Sequence, residues 1–180
     1  MEFSKGLKVV IVNGKPEVGK TTFEKMCQEL IGVGRCKIYS SIDGIKQMAI
    51  LIGWDGVKSD KDRKFLSDLK QLCIDYNDFP LNDVISYIMY WENDLKYYGI
   101  ENEFHIIFVD VREPEEIDKF KKELNAVTLL IQRPEYDDAE VVNNSDKNVF
   151  NYKYDYIVKN HKDLEYLKEE AKTFLMLLKD

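Results

Sequence analysis

A chain of 180 residues with 44% apolar and 33% charged side chains is long enough to bury a real core and lacks the composition of a disordered chain. Its formal net charge of −7 argues against binding to bulk nucleic acid or to an anionic membrane surface, since either favours a basic face. The apolar runs fall short of the ~20 residues of a membrane span, Met1 to Lys8 has no leader character, and Cys27, Cys36 and Cys73 lack the spacing of a metal site or disulfide framework, so the expectation is a cytoplasmic protein with reduced thiols.

Leu7 to Asn13 is predicted as a buried strand, rich in valine and isoleucine. Gly14-Lys15-Pro16-Glu17-Val18-Gly19-Lys20-Thr21 follows and matches G-x-x-x-x-G-K-[ST] in full. Each position answers a need of triphosphate binding. Gly14 and Gly19 let the backbone turn sharply, so that successive N–H groups converge on phosphate oxygens. The helix predicted from Lys20 to about Ile31 presents its positive end there. Lys20 should reach the β- and γ-phosphates, and the Thr21 hydroxyl should hold Mg²⁺, with Thr22 closing the cradle. The strand before and the helix after distinguish the motif from a chance glycine loop.

Cys36 to Ser40 is a short second strand. A helix is expected from Ser41 to Ile52, capped by Ser40 or Ser41. A stronger one runs from Ser59 to Tyr76, with Phe65, Leu66, Leu69, Leu72, Cys73 and Tyr76 at helical spacing and Ser59 or Asp60 as cap. A third, rich in tyrosine, spans Asn82 to Tyr98. Its aromatic residues suit a core or interface, or stacking on a base. Phe104 to Val111 is the next buried strand. Asp110, after four apolar residues, stands at its C-terminal edge, where ligands bind in parallel sheets. It reads as the carboxylate that completes a Mg²⁺ shell; a capping or loop aspartate is the alternative.

Pro114 opens a helix to Leu124, Val127 to Gln132 is a fourth strand, and Arg133 to Asn151 has no periodicity, which in a compact domain marks a functional or mobile loop. Tyr154 to Val158 is a fifth strand, and Asp163 to Leu178 a closing helix. The alternation of strand and helix predicts a parallel sheet with helices on both faces. His105 reads as a core histidine and His161 as an exposed one. Of 26 cationic residues only Arg35, Arg63, Arg112 and Arg133 are arginine. Arginine grips phosphate through a planar fork, so Arg63, Arg112 and Arg133 are candidates for phosphate contact, with surface salt bridges the alternative.

The motif Gly14–Thr22, the strand end Ile107–Arg112 and the tail Asp155–Asp163 resemble the P-loop nucleoside monophosphate kinase family, and within it the branch of phage-type deoxynucleoside monophosphate kinases and animal-type phosphomevalonate kinases. The resemblance implies one three-layer α/β/α domain over residues 1–180, with a parallel five-stranded sheet in order 2-3-1-4-5, a helical acceptor-binding insert at about 41–98 and a short lid at about 133–151. It implies ATP and Mg²⁺ as donor and metal, an acceptor held by Ser41, Asp43, Lys46, Arg63 and Arg112, charge neutralisation by Lys20 and Arg133, and an adenine loop containing Asn160. Asn160 is otherwise a simple turn residue. The adenylate-kinase acceptor signature and an arginine-rich lid are both missing.

The expected activity is transfer of the ATP γ-phosphate to a small phosphorylated acceptor, a (deoxy)nucleoside monophosphate in the first instance. The alternatives are a phosphomevalonate-type metabolite kinase, or a nucleotide-binding regulatory or NTPase module without an acceptor, against which the long stretch from Ser41 to Tyr98 argues.

Overall fold

In a computed structural model the strands β1 (Leu7–Asn13), β2 (Cys36–Ser40), β3 (His105–Asp110), β4 (Val127–Gln132) and β5 (Tyr156–Lys159) form one parallel sheet. Their order is β2-β3-β1-β4-β5, as the resemblance implied. Residues 3–57, 59–134 and 148–179 are described. Most of the expected lid, including Asp137, Asp138, Glu140 and Lys147, lies outside them.

The helices are α1 (Lys20–Ile31), α2 (Asp43–Leu51), α3 (Asp60–Asn77), α4 (Phe79–Tyr97), α5 (Pro114–Leu124) and α6 (Leu164–Lys179), with a 3₁₀ turn at Val149–Asn151. The period-2 alternation of the strands sends Val9 and Ile11 of β1 to a core with Val84, Ile88 and Trp91 of α4 and Ile117 and Phe120 of α5. It sends Val10 and Val12 to the other face, against Phe23 and Cys27 of α1 and Leu167, Phe174 and Leu175 of α6. Helices therefore cover both faces, and β1, buried except at the half-buried Lys8, lies at the centre with its C-terminal end feeding the glycine loop.

Several boundaries move for local reasons. The helix expected from Ser41 begins at Asp43 without a serine cap; instead the Asp43 carboxylate accepts from the Ser40 N–H at 3.0 Å. Ser59 does cap α3, in a capping box with Asp62. α4 starts at Phe79 rather than Asn82, because Asp78 takes a left-handed turn and Pro80 is tolerated in a first helical turn. β5 starts at Tyr156 rather than Tyr154, since the Asp155 carboxylate turns to the Thr128 N–H and hydroxyl.

The apolar stripe of α3 is only partly covered. Leu66 is buried, whereas Leu72 and Tyr76 are exposed and line an apolar hollow of about 400 Å³ with Met48, Cys73 and Phe79. Trp91 is core, but Tyr90, Tyr97 and Tyr98 of the tyrosine-rich helix face outward. No helix among the described residues is long and apolar enough to cross a membrane.

Candidate active site

The loop after β1 is held in shape from three sides. Gly14 has φ of 152°, and a Cβ there would run into the Ile131 carbonyl oxygen. Gly19 has φ of 97°, and its Cβ would lie 2.5 Å from Asn160 Nδ2; both positions therefore require glycine. Between them Glu17 accepts a left-handed φ of 63°, an uncommon conformation for a side-chain-bearing residue. Pro16 and Glu17 are exposed and Val18 is buried.

Asn13 anchors the entry. Its Oδ1 accepts from the Gly14 N–H at 2.7 Å, while its Nδ2 donates to the Arg112 carbonyl at 2.9 Å and the Tyr154 hydroxyl at 2.8 Å. Tyr154 in turn donates to the Val149 carbonyl. Asn160 anchors the exit, donating from Nδ2 to the Val18 carbonyl at 2.9 Å and from its backbone N–H to Gln132. The expected adenine contact is thus placed, in this structure, as a buried clamp on the loop. Lys15 is buried, its ammonium 5.3 Å from the ring centroid of Phe150.

Lys20 folds back into the loop and donates from Nζ to the carbonyls of Gly14 at 2.6 Å and Lys15 at 2.8 Å. The ammonium is therefore already at the centre of the cradle. Thr21 and Thr22 are exposed on the first turn of α1.

Asp110 ends β3 opposite Val12 of β1. Burial pushes its carboxyl above the usual range, opposed by Lys20, then Arg112; Asp43 adds to the rise and Lys46 opposes it. Its Oδ1 is buried with no hydrogen-bond partner among the described residues. A buried carboxylate oxygen without a donor calls for a cation or ordered water, and an aspartate carboxylate together with a threonine hydroxyl would be an all-oxygen donor set suited to Mg²⁺. The residues present fit that ion. Among the described residues no group of three or more His, Cys, Asp or Glu side chains could hold a metal alone, so such an ion would depend on phosphate oxygens as well.

The acceptor candidates divide. Ser41 is buried and its N–H donates to the Asp110 carbonyl at 3.1 Å. Asp43 and Lys46 pair at 2.8 Å on the first turn of α2, and both act electrostatically on Asp110, as does the exposed Arg112. Arg63 is on α3. It is exposed on the first turn of α3, and its guanidinium makes no hydrogen bond or ion pair among the described residues. Arg133 follows the last residue of β4 and is half-buried.

Other residues complete this flank. The rings of Tyr39 on β2 and Tyr87 on α4 stack with centroids 4.1 Å apart. The Tyr39 hydroxyl donates to Asp83 at 2.8 Å, and burial together with that bond raises its pKa. Gly44 makes the approach possible, because a Cβ there would lie 2.6 Å from Asp83 Oδ2.

No protein-family model matches the sequence, and no curated protein is significantly similar to it. Among solved structures it is similar to the tunicamycin resistance protein of Deinococcus radiodurans, at 9% identity over 93% of this chain and 95% of that one, TM-score 0.53. It is also similar to shikimate kinase from Aquifex aeolicus, at 14% identity over 93% and 96%, TM-score 0.50. The fold is that of the P-loop kinases.

Within that P-loop kinase fold, Asn13, Glu24, Tyr39, Asp83 and Tyr154 belong to the site or its support without having been candidates for it, whereas Tyr87 lies in the tyrosine-rich helix expected to pack or to stack on a base. Asn13 carried a signal, a polar residue closing an apolar strand. Glu24 carried one too, a carboxylate at helical spacing between Lys20 and Cys27. Tyr39 and Asp83 did not, because 44 residues separate them.

Proposed function

We propose that the chain is an ATP-dependent phosphotransferase that moves the γ-phosphate of ATP·Mg²⁺ to a small acceptor seated beside α2 and α4. The observation that carries this reading is the convergence of Lys20, Asp110, Arg112, Asp43 and Lys46 at the C-terminal ends of β1, β2 and β3. Phosphoryl transfer needs little covalent help from protein; it needs charge at the transferred group and an acceptor held in line. Lys20 would leave the Gly14 and Lys15 carbonyls for the phosphates. Thr21 and Asp110 would hold Mg²⁺, which would supply charge neutralisation between the phosphate oxygens. Arg133 would add a cation from the end of β4.

The acceptor in this reading is a (deoxy)nucleoside monophosphate, held by residues of the 41–98 segment. The Tyr39–Tyr87 pair offers an aromatic wall for a base and Asp83 a carboxylate for its N–H groups, features that a phosphorylated isoprenoid precursor would not use. Ser41, Lys46 and Arg112 would hold the acceptor phosphate, with Arg63 at the rim.

Asp43 favours a second reading, transfer to the hydroxyl of an uncharged acceptor. A carboxylate fixed by the Ser40 N–H and Lys46 next to Asp110 is a proton acceptor that an alcohol needs and a phosphate does not.

The test is ADP release from ATP·Mg²⁺ against two panels, nucleoside monophosphates and neutral polyols, relative to the rate without acceptor. Stimulation by monophosphates is the expected result, and stimulation by polyols alone replaces the first reading by the second. A rate that no acceptor raises leaves a nucleotide-binding module without transfer.

A further inference from the structure

The buried face of α1 runs through Phe23, Glu24 and Cys27. Its surroundings are apolar: Val10, Val12, Cys36, Phe108 and Ile131 fill the same layer. An apolar side chain at position 24 would satisfy this environment without penalty. Glu24 is instead fully buried, and neither Oε1 nor Oε2 has a hydrogen-bond partner among the described residues. A desolvated carboxylate without donors is expensive. Its charged neighbours are Asp110 and Lys20, and the nearby oxygen Asp110 Oδ1 is orphaned in the same way. Two unpartnered carboxylates repel, so ionising both is adverse in the protein alone and becomes favourable once a cation faces both.

Sequence spacing puts the pair in the right place. Glu24 lies four residues after Lys20 and three after Thr21, on neighbouring helical positions. It thus stands one turn below the phosphate loop, next to the end of β3.

We propose that Glu24 is a second carboxylate of the Mg²⁺ site, acting with Asp110 as an acceptor for the cation's water shell and strengthening the hold on the metal of a bound Mg²⁺·nucleotide; this rests on the reading of the Gly14–Thr21 loop as a nucleotide site. Glu24 is a positioning residue. It touches neither phosphate nor acceptor, and its effect reaches the reaction through the metal. Since two carboxylates do not make a metal site alone, the affinity gain belongs to the nucleotide complex and not to the free protein.

The experiment measures Mn²⁺ binding by electron paramagnetic resonance at saturating ADP, and ADP binding by calorimetry in EDTA, for wild type, Glu24→Gln and Glu24→Met. The expected result is a loss of about tenfold or more in Mn²⁺ affinity in both variants, the scale of an outer-shell ligand, with metal-free ADP affinity unchanged within twofold. Glu24→Met should also melt above wild type in EDTA, which shows that the lost metal affinity does not come from misfolding. Mn²⁺ affinity equal to wild type in both variants overturns the proposal. So does an equal loss of ADP affinity in EDTA, which would make Glu24 a partner of Lys20 instead. Wild type that binds no Mn²⁺ in the presence of ADP overturns the loop reading itself, and Glu24's role falls with it; wild type that binds alongside unchanged variants removes only the role of Glu24.

Discussion

The phosphate loop and the acceptor flank are built on opposite principles. Around the loop, the main chain itself is what is held: by left-handed glycines, an asparagine at each end bonded to a backbone group, and a lysine folded onto two carbonyls. On the flank formed by β2, α2 and α4, side chains do the fixing, through the Tyr39–Asp83 bond, the Asp43–Lys46 pair and a ring stack across two elements. A rigid backbone cradle suits a ligand group common to many proteins, the triphosphate. A side-chain-built wall can be changed one residue at a time and suits the part of the reaction that differs between enzymes.

The contrast breaks most easily at Lys20. Lys20→Ala is expected to lower ATP affinity by more than a hundredfold, a loss of about 2.7 kcal/mol or more, with far-ultraviolet circular dichroism unchanged. Nucleotide affinity within a few-fold of wild type would mean that the ammonium serves only the loop carbonyls it touches now.

The next test concerns charge buried beneath the loop. Burial pushes the Glu24 carboxyl up to about 8, with Asp110 adding to the rise and Lys20 opposing it. The folded form therefore holds a proton that the unfolded chain releases near its ordinary value of 4.5. Where the folded state binds more protons, stability falls as pH rises. In EDTA the protein should lose stability between about pH 4.5 and 8 with a slope of up to about 1.4 kcal/mol per pH unit from this group. Asp110, raised for the same reason, adds to the same trend. Urea midpoints across that range should show the decline in wild type and a flatter profile in Glu24→Gln. Parallel profiles would place the titrating group elsewhere.

How far these regions can be read from sequence follows the same division. The loop motif was legible because Gly14 to Thr21 are eight consecutive residues, whereas the Asn160 clamp lies 142 residues from the carbonyl it holds; Asp110 was legible because an apolar strand ends on it. The sheet order came with the resemblance and is the observed one. The flank was legible only as a helical stretch. Arg63 is exposed near the start of α3, which its being an arginine could not tell, since residue type says nothing about which way a helix faces. Tyr39 and Asp83 meet only once α4 crosses the end of β2. Glu24 had only its helical spacing from Lys20 and Cys27 to point to it; a glutamate on an amphipathic helix otherwise reads as solvent-facing, and its burial is what sets it apart. Tyr154, expected in a strand, was taken instead by the bond to Asn13.

Asn160→Ala separates the two principles within the loop. It removes the donor to the Val18 carbonyl and leaves that group short of a partner, which costs about 1–3 kcal/mol. The melting temperature should fall and ATP affinity with it, while any acceptor KM stays the same. A drop in nucleotide affinity with no loss of stability would instead favour a direct contact between Asn160 and the base.

The smallest expected effect belongs to the flank. Tyr39→Phe keeps the stack on Tyr87 and removes only the hydroxyl that donates to Asp83. One lost bond to a carboxylate on a half-exposed surface is worth about 1 kcal/mol, or roughly fivefold in an equilibrium. If the flank holds the acceptor, that factor should appear in the acceptor KM and leave ATP affinity untouched. The two constants can be measured on the same preparation. Should the change fall on ATP instead, the tyrosine pair would belong to the donor side, and the acceptor would have to be sought away from the β2 edge of the sheet.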